Sequence, residues 1–281
     1  MAKTSIIRTA YAQRFLYHLD NTLLFQNVCN TDYEGDPNAG SVIINSMTDL
    51  TIGDYAGTAT VQTLASTSQT LSINVHKYFA QLCDDVDKMQ SNLPLVEESA
   101  IRVAYGIANA VDSYIASQSY VQGTAVAIGS LGTSGSAYIP TGSTNAYDFV
   151  VDMNTELSRV SAPQFGRFIA LPAFVVASIA KDSRILTQNP VVLANGVVTG
   201  MMINGMQVLQ SNNLLTWGSG ATTEYSVIAG QSSAMAFVGQ LKELETFRSP
   251  TSFGDVIRGL YSFGFKTTQS TSVLYAVVKK Q

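Results

Sequence analysis

The chain has 281 residues, of which 46% are apolar types and only 13% charged, about half the charged share usual for a soluble domain. That length can bury a large core, as one large or two modest domains, and the excess of apolar over charged types is the reverse of a disordered chain's composition. A formal charge of −4 argues against a dedicated nucleic-acid binder, and a surface so poor in charge points to burial against other subunits.

The shortage of charge is also local. No charged residue lies between Asp112 and Asp148, and only Glu224 lies between Arg184 and Lys242. The longest apolar run, "ALPAFVVASIA" from Ala170, has eleven residues and a proline, whereas a spanning helix needs about twenty, so no membrane segment is expected. No apolar block follows Lys3, Arg8 and Arg14, so no secretory signal is expected either. Cys29 and Cys83 make neither a disulfide framework nor a zinc pattern, and reduced thiols are the default.

In chain order, residues 1 to 33 read as an arm, basic at its start. "EGDPNAGSVIIN" then marks a turn before the apolar run Val42, Ile43, Ile44. The Thr-, Ser-, Gly- and Ala-rich text to Leu71 predicts a long two-stranded excursion. Its return limb alternates, with Leu71, Ile73 and Val75 on one face and Thr70, Ser72, Asn74 and His76 on the other. The stretch "HKYFAQLCDDVDKMQSN" follows, residues 76 to 92. Helical spacing of Val103, Ile107, Val111 and Tyr114 or Ile115 predicts a long helix over about 93–118, capped by Ser91 or Asn92 with Pro94 in its first turn and Glu97 and Glu98 near the positive end of its dipole.

Residues 123 to 146 are Gly-, Ser- and Thr-rich and read as a long loop or boundary. A second amphipathic helix carries Phe149, Val150, Met153, Leu157 and Val160 on one stripe. "RFIAL" reads as a buried strand, and "PAFVVASIAKDSRIL" as a helix opened by its proline. "GMMINGMQVLQSNN" signals a hairpin turning at Asn204-Gly205, because both central residues of the favoured turn need positive φ. The last third is strand-rich, in "EYSVIA", "AMAFV", "LYSFGFKTT" and "SVLYAVV".

Catalytic patterns are missing. His18 and His76 are the only histidines, and neither belongs to a nucleophile-elbow arrangement; "LGTSGS" lacks the glycine two positions after Ser134. There is no phosphate-cradling Gly-rich loop followed by Lys-Ser/Thr, and no Gly-x-Gly-x-x-Gly after a strand. His76 and Cys83 gather close to Asp84, Asp85 and Asp87 in sequence. Seven residues of extended chain at about 3.3 Å each hold the first two over 20 Å apart, too far to share an ion. A calcium loop counted from Asp85 would need a glycine where Gln90 stands. The stretch reads as a strand ending in a polar turn before the capped helix, and no catalytic, cofactor or metal site is expected. Lys3, Arg8 and Arg14 could meet phosphates, but an ordinary solvated arm accounts for them.

The order of parts, with "YEGDPNAGSVIIN" from Tyr33, "HKYFAQLCDDVDKMQSN", "RFIALPAFVVASIAKDSRIL", "GMMINGMQVLQSNNL" and the C-terminal section from Ala234, resembles the major capsid proteins of tailed double-stranded DNA bacteriophages. That fold is shared with encapsulins and the floor domain of herpesvirus capsids. The resemblance covers most of residues 30 to 278. It implies a mixed α+β fold with an N-terminal arm (1–35), an extended loop (36–75) lying across a neighbouring subunit, a peripheral domain (76–139 and 226–281) built on a spine helix, and an axial domain (140–225). The last strands could return to the axial domain.

It also implies a structural, non-enzymatic subunit that self-assembles as hexamers and pentamers into an icosahedral head around packaged DNA. The partners would be copies of itself, a separate scaffolding protein, a portal and a decoration protein where one is used. DNA contact would be weak and non-specific, and assembly would take place in the host bacterial cytoplasm. Candidate subunit-contact residues are Asp36, Asp49, Asp54, Lys77, Asp84, Asp85, Asp87, Arg248 and Arg258; Lys77 is also the lysine considered for the covalent crosslink that some relatives form. The alternatives are an encapsulin-type compartment shell and, more distantly, an α/β hydrolase using a histidine.

Overall fold

The computed structural model describes residues 15, 17, 19, 24–31, 40–47, 52, 54, 63, 66–84, 95–126, 146–182, 202–219 and 223–279. The expected caps Ser91 and Asn92, Pro94, and the loop after 126 lie outside them, as do the side chains of Glu97 and Glu98.

The long helix is α1, Leu95–Gln122. Ala100, Ala104, Ile107, Ala108, Val111, Ile115 and Ala116 are buried along one side, in the steps of three and four that one helical face requires. The helix runs four residues past its expected end and stops at Gly123. A Cβ there would stand 2.5 Å from the carbonyl oxygen of Ser119 and 3.1 Å from that of Val273, so only glycine lets the strand ending the chain pass this close. The Gln122 side chain accepts the Thr267 amide at 2.9 Å, tying the helix end to the sheet it covers.

That sheet has three antiparallel strands in the order β10–β11–β3: β3 is Val75–Asp84, β10 Met235–Arg248 and β11 Gly254–Thr267. Its inward side, with Phe237, Ile257, Tyr261 and Phe263, packs on α1, and Tyr114 meets Phe263 edge-on at 5.4 Å. The arm closes the same core. Phe15, Leu19, Phe25 and Val28 are buried in it, and Asn30 bridges Ala236 in parallel at the start of β10.

A larger sheet runs β4–β12–β9–β5–β7–β6, with β8 also on β9; the strands are β4 Thr124–Ala125, β5 Arg167–Leu171, β6 Met202–Ile203, β7 Met206–Gln210, β8 Thr216–Trp217, β9 Glu224–Gln231 and β12 Val273–Lys279. Strand β5 explains the uninterrupted burial of "RFIAL". Phe168 and Ala170 join the core shared with α1, whereas Ile169 and Leu171 face a second core under α2, Ala146–Arg159, and α3, Ala173–Ala180. Helix α2 buries Phe149, Val150, Met153 and Leu157 as its stripe predicts. Val160 departs from that stripe. The helix ends at Arg159, Ser161 turns into the left-handed region at φ 57°, and Val160 is left exposed. Pro172 precedes α3 as its cap residue rather than occupying the first turn.

The turn from α2 into β5 is held by a buried guanidinium. Arg167 donates to the carbonyl oxygen of Pro163 at 2.9 Å and to Ser158 Oγ at 2.9 Å, and it also bonds the carbonyl of Ala162 and the side chain of Asn154. Asn154 in turn donates to the Asn204 carbonyl at 2.7 Å, fastening the β6–β7 hairpin to α2. Asn204 and Gly205 take φ of 49° and 81°, the pair of positive values anticipated from the sequence.

Candidate assembly surfaces

Strands β1, Ser41–Met47, and β2, Ser66–Ser72, pair antiparallel from Ser41↔Ser72 to Met47↔Ser66. Val42, Leu71 and Ile73 are buried against Ala236 and Val238 of β10, giving this excursion a small core at its base. Polar ties reinforce the base: Lys266 Nζ donates to the Thr70 carbonyl at 3.0 Å and Gln69 Nε2 to the Thr268 carbonyl at 3.1 Å. At Gly264 a Cβ would lie only 2.3 Å from the Ser72 carbonyl oxygen, so a bare backbone lets the excursion seat on β11. The opposite side of the ribbon shows Ile43, Asn45, Ser68, Thr70 and Ser72 to solvent.

The outward side of the three-stranded sheet is a second surface. Register places Leu82, Val256 and Phe247 in one row and Ala80, Arg258 and Glu245 in the next. Arg258 donates from Nε to Glu245 at 2.8 Å, and its guanidinium carbon sits 5.1 Å from the Phe247 ring centre. Arg248 lies 3.4 Å from Asp255 in the neighbouring row, the row of Cys83, which alternation assigns to the other face. Tyr78 is 81% exposed and Phe253, in the turn between β10 and β11, is 82% exposed. Aromatic and arginine side chains on a bare sheet face are the composition of a protein–protein contact.

Several residues expected to make contacts meet on this sheet. Lys77 is exposed on β3, and Asp84 closes the strand half-buried, opposite Gly254. Arg248 and Arg258 occupy β10 and β11, each with a carboxylate of its own sheet beside it. Asp54 is exposed and outside any strand or helix, while Asp36, Asp49, Asp85 and Asp87 lie outside the described residues. His76 and Cys83, an odd number of positions apart on the strand, fall on opposite faces. His76 Nδ1 is 2.9 Å from Ser262 Oγ, and Cys83 is buried in the core. Among the described residues no three His, Cys, Asp or Glu side chains converge as metal ligands.

Two buried polar groups have no role legible in the sequence pattern. Arg167 stands at the head of the apolar strand "RFIAL", which gives no sign of its hydrogen bonds. Asp112 sits four residues after Ala108 and four before Ala116, both on the buried stripe, and that spacing was the available signal.

No protein-family model matches the sequence, and no curated protein matches it. Solved structures do. A structure of Mycobacterium phage Che8 aligns over 90% of this chain and 90% of its own, with 26% identity and a TM-score of 0.69. The capsid of Ralstonia phage GP4 aligns over 90% and 87% at 12% identity and TM-score 0.67. The chain has the fold of the tailed-phage major capsid proteins. A virus-like particle from Pyrococcus furiosus is similar too, over 98% of this chain and 100% of its own, at 8% identity and TM-score 0.60.

Proposed function

We propose that the chain is a major capsid subunit of a tailed double-stranded DNA phage, a structural protein whose activity is assembly. The observation that carries this reading is the likeness to phage capsid structures over nine-tenths of the chain; in this reading α1 is the spine helix and β1–β2 the extended loop. Physical features agree with it. A two-stranded ribbon alone is marginal in water, so β1–β2 beyond its seated base calls for a neighbour's surface. With only 13% charged residues, the chain has a surface costly to expose and cheap to bury between copies.

In this reading hexamers and pentamers tile an icosahedral head around packaged DNA, with a scaffolding protein and a portal during assembly in the host bacterial cytoplasm. The arm is 1–35, the loop 36–75, the peripheral domain 76–139 with part of 226–281, and the axial domain 140–225. Strands β9 and β12 belong with the axial domain because they are hydrogen-bonded into the sheet of β5 and β7. Lys77, Asp84, Arg248 and Arg258 would lie at contacts of the peripheral domain.

Electron microscopy of the expressed protein tests the proposal. Closed shells of uniform size, or sheets and tubes of hexamers, are expected; a persistent monomer under all conditions overturns it. The similarity to the Pyrococcus particle keeps an encapsulin-type compartment as the second reading. Shell contents separate the two, because DNA supports the phage head and a docked protein cargo the compartment. Deleting residues 45–68 is expected to leave the folded core intact and abolish shells.

A further inference from the structure

The two edges of the three-stranded sheet differ in character. Strand β10 begins at the Asn30 bridge, its register with β11 shifts between Leu241 and Glu243, and its sequence there carries Lys242, Glu243 and Glu245. A bulge and clustered charge are devices that keep an edge from pairing with another chain. Strand β3 has neither. Over its ten residues, Val75–Asp84, it contains no proline and a single lysine, Lys77. Its register with β11 is unbroken from Phe263↔Val75 to Gly254↔Asp84. Among the described strands it pairs on that side alone, and His76, Lys77, Tyr78, Ala80 and Leu82 are exposed. Such an edge offers its backbone amides and carbonyls to an incoming strand.

The side chains of β3 fit a second β3. Residues directly opposite each other in an antiparallel pair share a face, so a twofold axis between two copies pairs residues an even number of positions apart. The register centred on Ala80 sets Tyr78 of each copy against Leu82 of the other, and His76 against Asp84. An exposed aromatic then covers an exposed aliphatic, a favourable cross-strand pair. His76 Nδ1 is 2.9 Å from Ser262 Oγ, which leaves Nε2 for an outside acceptor such as a carboxylate. On the other face Lys77 comes opposite Cys83 and Phe79 opposite Gln81, so no like charges are opposed. An axis at Phe79 would instead set His76 on Leu82, and one at Gln81 would set Tyr78 on Asp84. Of the three, the Ala80 register alone matches apolar with apolar and polar with polar.

We propose that β3 is a self-complementary docking edge, joining β3 of a second copy antiparallel about a twofold axis at Ala80, so that two three-stranded sheets become one continuous sheet. The same patch serves both partners, which makes the contact isologous. Contacts around a hexamer or pentamer ring run head-to-tail and cannot be isologous. Under the capsid reading, on which this placement alone rests, the β3 pair therefore joins subunits of neighbouring capsomers.

Ala80→Cys, at an exposed position, tests the axis directly. Across an antiparallel pair the two Cα atoms stand about 4.5–5.5 Å apart, a separation that a disulfide spans. Mild oxidation of the full chain, assembled or at high concentration, is expected to convert Ala80→Cys to a covalent dimer whose 80–80 linkage is found by peptide mass spectrometry. In Gln81→Cys the two thiols lie diagonally, on Cα atoms about 7–8 Å apart, and this variant is expected to stay uncrosslinked. So is the native chain, whose Cys29 is half-buried and Cys83 buried. Absence of the 80–80 linkage, or equal crosslinking of Gln81→Cys, overturns the proposal. Electron microscopy of the same samples keeps the two readings apart. Shells without the linkage overturn the docking edge alone, and the linkage in a chain that forms no shells under any condition overturns the capsid reading alone.

Discussion

The two sheets of this subunit solve burial differently. The larger one is covered on both faces around β5, by α1 on one side and by α2 and α3 on the other. The three-stranded one packs its inward face on α1 and leaves Tyr78, Leu82 and Phe247 outward. A strand buried on both faces reads as a continuous apolar run; one buried on a single face alternates. The comparison teaches where stability and assembly reside. Substitutions on β5 act on the fold of the single subunit, whereas substitutions on the outer face of β3 act on what the subunit meets.

The sharpest test pairs one residue from each sheet. Phe168→Ala, at a fully buried position, is expected to cost about 3–5 kcal/mol in urea unfolding of the unassembled subunit. Tyr78→Ala is expected to stay within about 0.5 kcal/mol in the same measurement while reducing shell yield seen by electron microscopy. Equal losses of stability would erase the distinction.

A smaller effect is expected at the seat of the extended loop. Gly264→Ala forces a methyl group against the Ser72 carbonyl and is expected to cost about 1–3 kcal/mol and to impair assembly. Unchanged stability would mean that the loop base shifts without cost. Gly205→Ala, at φ 81° in the β6–β7 turn, is expected to cost about 1 kcal/mol, read as a drop of a few degrees in Tm. The smallest change belongs to Glu245→Gln, which weakens an exposed pair with Arg258 and is expected to alter stability by less than about 1 kcal/mol, with the residual effect fading at high salt.

Legibility followed the range of the forces involved. The Asn204-Gly205 hairpin, the stripe of α2 as far as Leu157 and the spine helix are written in neighbouring residues, because turn dihedrals and helical periodicity are local. "LKELETF" within β10 shows the opposite case. Its Leu, Lys and Glu favour a helix, yet residues 241–247 are strand, paired with β11 through a register shift between Leu241 and Glu243. Nothing local announces that pairing, and the strand expected as "AMAFV" extends to Arg248.

The amino-acid sequence by itself determined the turn chemistry, the amphipathic helices and the low charge that marks a subunit built to be surrounded. Tertiary structure alone decided that Arg167 is buried among carbonyl oxygens, that Gly264 yields room to Ser72, and that Asp112 receives the arm. Gly264 and Asp112 depend on a chain segment distant in sequence closing over them, and Arg167 on the turn from α2 folding back over β5. Burial and hydrogen-bond partners are properties of the folded neighbourhood, and residue type alone does not encode them.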